Sequence, residues 1–316
     1  MRLSNDHSAF RTDGANYTHQ TAPTQFIEAD GTLLAYRRFG KHGSVPLVLF
    51  QHFIGNMDNW DPQITDGFAQ DREVILFDNA GVASSGGEPA NSIEGMAKHG
   101  IDLIEALRLS KVDLFGFSTG SLVAQEVTVE RPDLVRRLVL EGSAARGGVH
   151  MATLTPEFQA MVAKKRDDKD TFWIDSLFSQ SETSQAAGRE FLIRKNARNV
   201  DRDADVNDKV GPAQITAIAA WGAPHSDSDA YLKVIKQPVL VVAESSDPVF
   251  YTVNAFNLQQ NLADAQLIIY PDSGHAPMYQ YPDLFVKHVS MFLDIFHCRA
   301  SGSGQVAEKR RRKRDP

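Results

Sequence analysis

Residues 114–122 read LFGFSTGSL: an apolar run, then glycine, serine and glycine at alternate positions, then the start of the helically spaced stretch SLVAQEV. The apolar run has the character of a strand end, so Ser118 falls on a strand-to-helix turn. A serine hydroxyl is a poor nucleophile until a base takes its proton, and its reaction needs amide donors aimed at the oxyanion that forms. A sharp turn serves both needs. It lifts the oxygen off the backbone and leaves the Thr119 amide free at a helix start. The flanking glycines let neighbouring chain approach closely. Gly-x-Ser-x-Gly alone is a weak pattern; the strand before it and the helix after it give it weight.

Outward from this corner, strands alternate with helices. QFIEADG (25–31) and LLAYRRFG (33–40) read as a hairpin separated by Gly31 and Thr32. VPLVLFQHF (45–53) and EVILFDNAG (73–81) are continuous apolar runs, as in strands buried on both faces. IEGMAKHGIDLIEALRL (93–109) has helical spacing, KVDLFGFS (111–118) is a strand, SLVAQEVTVERP (121–132) a helix, and VRRLVLEGSA (135–144) a strand. The alternation breaks near Arg146 and resumes at QPVLVVAESSD (237–247) and AQLIIYPDSGH (265–275), followed by a final amphipathic helix at 281–296. This implies an α/β fold: a mostly parallel sheet covered by helices on both faces, with a helical insert. The expected segments are a loose polar arm over 1–23, a first core part over 24–145, a helical insert over 146–235, a second core part over 236–298, and a basic tail over 299–316 containing EKRRRKRD.

A base and its orienter must complete the chemistry. In this architecture the expected chain order is Ser, then an acid, then His. Asp247 and His275 each follow a strand, and ligands meet the carboxyl ends of strands in open α/β sheets. Ser118, Asp247 and His275 can therefore share one sheet edge. Glu141, at the end of RRLVLE, is the competing acid. Asp247 is preferred because 28 residues to His275 leave room for one helix and one strand, and because Glu141 leads directly into the insert.

Four stretches, FQHFIGNMDNW (50–60), FDNAGVASSG (77–86), GFSTGS (116–121) and PDSGHAP (271–277), resemble the α/β-hydrolase superfamily. They are nearest to its esterases, lactonases, cofactor-free haloperoxidases and carbon–carbon hydrolases. The resemblance spans residues 25–296 and implies an eight-stranded sheet with the insert as a cap. It implies Ser118 as nucleophile, His275 as base and Asp247 as the acid fixing the imidazole tautomer. The oxyanion amides would be those of Thr119 and of a residue after PLVLF. Alignment on Trp60 makes that residue Phe53; alignment on His52 makes it Ile54. The sequence departs from the usual His-Gly pair here, and Ala83 stands where glycine is common. The cap aromatics Trp173 and Trp221 are expected to line the pocket and contact substrate.

The 316-residue composition is that of an ordinary soluble globular protein, 42% hydrophobic and 23% charged. A net charge of −7 argues against a nucleic-acid-binding body. The single cysteine, Cys298, excludes an internal disulfide, and the polar N-terminus does not read as a secretory signal, so a cytoplasmic setting is expected. No apolar run approaches membrane-span length. No metal-ligand spacing and no phosphate loop stands out, so neither a metal nor a cofactor is expected. DDKD (167–170) reads as a solvated loop. Asp58, Asp61 and Asp78 read as capping or turn residues. The expected function is hydrolysis of an ester, lactone or related activated carbonyl of a small molecule. Carbon–carbon hydrolysis, lyase or perhydrolase chemistry with the same residues is the enzymatic alternative, and a ligand receptor on the same scaffold the non-enzymatic one. No nucleic acid or membrane partner is expected; self-association into a homo-oligomer is left open.

Overall fold

The computed structural model describes residues 17–153, 155–165, 169–225 and 228–294. The basic tail, Cys298 and the first sixteen residues lie outside that range, as do Asp167 and Asp168 of DDKD. The hairpin forms as β1 (Gln25–Ala29) and β2 (Thr32–Gly40). Its turn lies one residue earlier than expected. Asp30 and Gly31 both take positive φ, 47° and 79°, and Thr32 already pairs with Ala29. Such a two-residue turn matches the strand twist, and Asp-Gly tolerates it.

The chain then alternates through β3 (Leu47–Phe50), α1 (Pro62–Ala69), β4 (Glu73–Phe77), α2 (Ile93–Ala106), β5 (Val112–Phe117), α3 (Thr119–Glu130) and β6 (Val135–Glu141). It returns to the sheet at β7 (Val239–Glu244) and β8 (Ala265–Tyr270). The open eight-stranded sheet has the order β1-β2-β4-β3-β5-β6-β7-β8, antiparallel only at its first two pairings. β3, β4, β5 and β7 are buried along their whole length. Alternate strand residues serve two cores. Val48, Phe50 and Leu114 face one with Ile101, Leu122 and Val127; Leu49, Phe115 and Phe117 face the other with Trp60, Phe68 and Phe285. No helix among the described residues is long and apolar enough to cross a membrane.

Two glycines bring the strand ends and α3 together. A Cβ on Gly116 would lie 2.6 Å from Ser121 Cα, and one on Gly120 would overlap the Phe50 carbonyl and lie 2.7 Å from Gln51 O. α3 therefore starts hard against the exits of β5 and β3, which no larger residue permits.

Between β6 and β7 the chain builds α4 (Pro156–Ala163), α5 (Lys169–Leu177), α6 (Glu182–Lys195) and α7 (Val210–Gly222). After Asp247 come α8 (Val253–Asn261), α9 (Pro277–Gln280) and α10 (Pro282–Asp294). The four inserted helices are tied to the body by charge. Arg37 of β2 is fully buried, pairs with Asp58 and lies 3.7 Å from Asp203. The Asp203 amide donates to Asp58 Oδ2 at 2.8 Å. Asp58 thus answers buried arginine rather than capping a turn. Asp61 does cap α1, accepting from the Gln63 amide, and also takes Arg194 of α6 at 2.6 Å.

Residues 17–23, read as part of a loose arm, instead dock on the body. His19 is buried, its amide donates to Asp66 and its Nδ1 meets Thr65 Oγ1 at 3.0 Å. The cause is Arg198, also buried, whose guanidinium needs acceptors and finds the carbonyls of His19 and Ala22.

Gly120→Ala should lower the unfolding free energy by about 2 kcal/mol or more, the cost of overpacking against backbone. Gly211→Ala, whose added Cβ would have its nearest neighbour at 3.8 Å, should change it by under about 1 kcal/mol. Urea denaturation of both variants checks the contrast.

Candidate active site

Ser118 stands between β5 and α3 with φ 54° and ψ −123°, a backbone region that side-chain-bearing residues rarely enter. The strain is held from both sides. The Ser118 amide donates to Glu141 O at 2.9 Å, and the Ser121 amide donates to Ser118 O at 2.8 Å. Ser121 Oγ adds a bond to the same carbonyl at 2.6 Å and meets Ser143 Oγ at 2.7 Å.

His275 follows β8, and its ring spans two partners. Nε2 lies 2.7 Å from Ser118 Oγ, and Nδ1 lies 2.8 Å from Asp247 Oδ2. The structure therefore brings Ser118, Asp247 and His275 into one hydrogen-bonded line, all three buried. Two glycines make room for it. A Cβ on Gly142 would lie 2.8 Å from His275 Cε1, and one on Gly274 would lie 2.6 Å from the Phe178 backbone. Neither was singled out in the sequence, although each adjoins a residue that was. Phe117 and Phe250 flank the ring, each with its centroid 5.4 Å away.

Two further carboxyls share this interior. Glu244 Oε1 is 3.5 Å from His275 Nδ1, and Glu141 ends the neighbouring strand. Burial, then the negative charge of Asp247, pushes each of them well above the usual carboxylate range. Asp247 goes the other way. Burial pushes it up, but the His275 ring and its contact with Glu244 outweigh that and hold it below its ordinary value. Of the three carboxyls, the one that faces the histidine is thus held towards its charged form and the other two are pushed towards their neutral forms. Glu244, Asp247 and His275 also form the one group among the described residues with metal-ligand character, their ligand atoms within 4.8 Å of one another. Both ring nitrogens of His275 are already taken by Ser118 and Asp247, which suits proton transfer rather than ligation.

In the loop after β3 the two candidate amides differ in their partners. The Ile54 amide donates to Gln214 Oε1 of α7 at 2.6 Å and is occupied. The amides of Phe53 and Thr119 have no acceptor among the described residues. His52 is buried beside them, with Nδ1 2.8 Å from Phe53 O, and burial pushes it down to about 4. A neutral ring at ordinary pH then donates from Nδ1 and holds the Phe53 peptide in place.

The two tryptophans part company. Trp173 of α5 meets the His52 ring at 4.9 Å, and His52 in turn meets Phe117 at 5.4 Å, so Trp173 reaches the site. Trp221 does not. It is buried against Tyr231 at 5.6 Å and beneath Arg146, and its indole N–H donates to Ala144 O at 3.3 Å. A buried indole N–H needs an acceptor, and that need turns Trp221 into a brace at the root of the insert.

Residues 45–282 match the family model described as the alpha/beta hydrolase fold. Among solved structures, the chain is similar to an alpha/beta hydrolase fold protein from Chitinophaga pinensis. That likeness has 37% identity and a TM-score of 0.82, covering 89% of this chain and all of the other. Among curated relatives, it is 26% identical to a putative carbamate hydrolase of Agrobacterium fabrum, over 81% of this chain and 97% of that one. It is also 26% identical to a poly(3-hydroxyalkanoate) depolymerase of Ectopseudomonas oleovorans, over 84% and 93% respectively.

The buried carboxyls make a prediction about pH. Glu141 and Glu244 keep a proton in the folded state that the unfolded chain gives up above its ordinary value of 4.5. Their contribution to stability is therefore full below that pH and lost as pH rises towards their folded values. Glu141→Gln and Glu244→Gln should each gain stability relative to wild type between pH 5 and pH 8. Urea denaturation at the two pH values reads this directly; a pH-independent difference would mean the carboxyls ionise normally.

Proposed function

The chain belongs to the α/β-hydrolase family, and within it we propose a serine hydrolase that cleaves an ester, lactone or related activated carbonyl of a small molecule. One observation carries the reading: a positive-φ serine whose Oγ lies 2.7 Å from a histidine that is itself held by an ionised aspartate at 2.8 Å. In this reading Ser118 Oγ attacks the carbonyl carbon and its proton passes to His275 Nε2. Asp247 keeps the Nδ1–H oriented and stabilises the imidazolium. The oxyanion accepts from the Phe53 and Thr119 amides. Collapse releases the alcohol, protonated by His275, and leaves an acyl-serine. Water, deprotonated by the same nitrogen, then frees the acid. Every role falls to a side chain or amide of this chain, so the chemistry asks for no cofactor.

The names of the relatives support a carbonyl substrate, since carbamates and poly(3-hydroxyalkanoates) both present a carbonyl bonded to a heteroatom. The insert, which brings Trp173 over the site, acts as the cap that selects among such substrates. Its helices leave Trp221 outside that role.

Ser118→Ala should abolish hydrolysis of a 4-nitrophenyl ester while leaving the melting temperature unchanged. Asp247→Asn should lower kcat by roughly three to four orders of magnitude, the cost of losing the tautomer-fixing acid. Glu141→Gln, replacing a carboxyl that burial pushes towards its neutral form with an amide, should cost under about ten-fold. A severe loss in Glu141→Gln beside a mild one in Asp247→Asn would reverse the choice of acid. Fluorophosphonate labelling of Ser118 without turnover of any ester or lactone would favour a ligand receptor.

A further inference from the structure

Gln125 of α3 is buried, and so are the three hydroxyl-bearing residues around it, Ser121, Ser143 and Tyr231. Their hydrogen bonds run in one direction. Ser121 Oγ carries one hydrogen and has two oxygens in reach, Ser118 O at 2.6 Å and Ser143 Oγ at 2.7 Å. A carbonyl cannot donate, so that hydrogen lies on the line to Ser118 O, and Ser143 supplies the one between the two hydroxyls. Ser143 Oγ in turn accepts from Gln125 Nε2 at 3.0 Å. The same nitrogen faces the carbonyls of Ser121 at 3.3 Å and Ala144 at 3.2 Å, so the amide oxygen points the other way. There the Tyr231 hydroxyl donates to it at 2.7 Å. The Tyr231 oxygen accepts from the Arg146 amide at 3.2 Å.

This relay starts where the two ends of the insert meet and stops at the carbonyl of Ser118. Arg146 stands at the start of the insert and Tyr231 near its end. The Arg146 guanidinium pairs with Glu126 of α3 and lies over the Tyr231 ring, 4.5 Å from its centroid. At the far end, Ser118 O already accepts from the Ser121 amide, so the hydroxyl is not needed to satisfy it. What the second donor adds is direction. The Ser118 carbonyl and the Thr119 N–H belong to one planar peptide unit, so an oxygen gripped by two donors fixes where the N–H points. Hydrogen bonds aligned in a buried chain also polarise one another, which strengthens the last of them.

We propose that Gln125 and Tyr231 are positioning residues for the oxyanion: through Ser143 and Ser121 they hold the Ser118–Thr119 peptide so that the Thr119 amide stays aimed at the charge that forms. This rests on the reading of Ser118 as the nucleophile. The insert thereby bears on the reaction from its root, apart from any contact Trp173 makes.

Kinetics on a 4-nitrophenyl ester test it. An amide that serves the oxyanion alone acts in the transition state, so misaligning it lowers kcat and spares KM. Ser121→Ala should lower kcat about ten-fold, less than the about hundred-fold or more that outright loss of an oxyanion donor costs. Tyr231→Phe and Ser143→Ala, each lacking one oxygen, should lower it about three-fold, with KM within about two-fold. In a Ser121→Ala background, Tyr231→Phe should have no further effect on kcat, because the relay is already cut; two independent packing defects would add. Ser143→Ala takes the place of Ser121→Ala in that pair if the latter does not fold. A trifluoromethyl ketone, whose hemiketal oxyanion takes the same amides, should bind more weakly in step with the fall in kcat. An unchanged kcat in folded variants, a loss expressed in KM instead, or an undiminished effect of Tyr231→Phe in the pair overturns the proposal and leaves the hydrolase reading standing. If wild type turns over no ester, the rate at which a fluorophosphonate labels Ser118 replaces kcat. Slower labelling in Tyr231→Phe supports the relay, an unchanged rate overturns it, and no labelling of wild type overturns both readings.

Discussion

The site depends on one backbone constraint, the positive φ of Ser118. Holding a side-chain-bearing residue there costs on the order of 1–3 kcal/mol and persists only where the surroundings over-determine it. Here the determination is local and redundant. The Glu141 carbonyl holds the serine amide, and two donors from Ser121 hold its carbonyl. The reversal then fixes everything downstream. It aims Oγ at His275, presses α3 against the exit of β3, and leaves the Thr119 amide without an intrahelical partner.

Electrostatics supply the second condition. Three carboxyls crowd one buried imidazole, and mutual repulsion with desolvation forbids three charges. The one that keeps its charge is the one with the histidine to answer it. Glu141 and Glu244, both pushed towards their neutral forms, lie in the same interior. This sorting follows from burial and distance, not from the residue types, since three acidic side chains look alike on paper.

That difference marks what the sequence could tell. The central strands were legible because burial on both faces leaves continuous apolar runs, and the Ser118 corner because glycine, serine and glycine fall between two recognisable periods. α1 was not, since Gly67 interrupts its short apolar stripe; Gly67 is there because α10 approaches closely at Val286. The docking of residues 17–23 was hidden because backbone carbonyls, not side chains, make the contact with Arg198. Trp173 and Trp221 both appear as isolated aromatics in a polar segment; only the place of the Ala144 carbonyl separates brace from site wall. Glu244 reads as an ordinary polar residue, because burial of a carboxyl leaves no trace in composition.

The buried charges joining the insert to the body have an evolutionary consequence. Arg37 on β2, Asp58 after β3 and Asp203 in the insert form one desolvated set, with Arg198 contributing from the same inserted segment. Removing one member strands the others, a loss on the scale of several kcal/mol. The insert is therefore not an interchangeable module. A chimera carrying another relative's helices between β6 and β7 would inherit an unanswered arginine in its core. On the proposed reading of the insert as a cap, diversification of substrate choice is channelled into residues such as Trp173, which can change without disturbing that set.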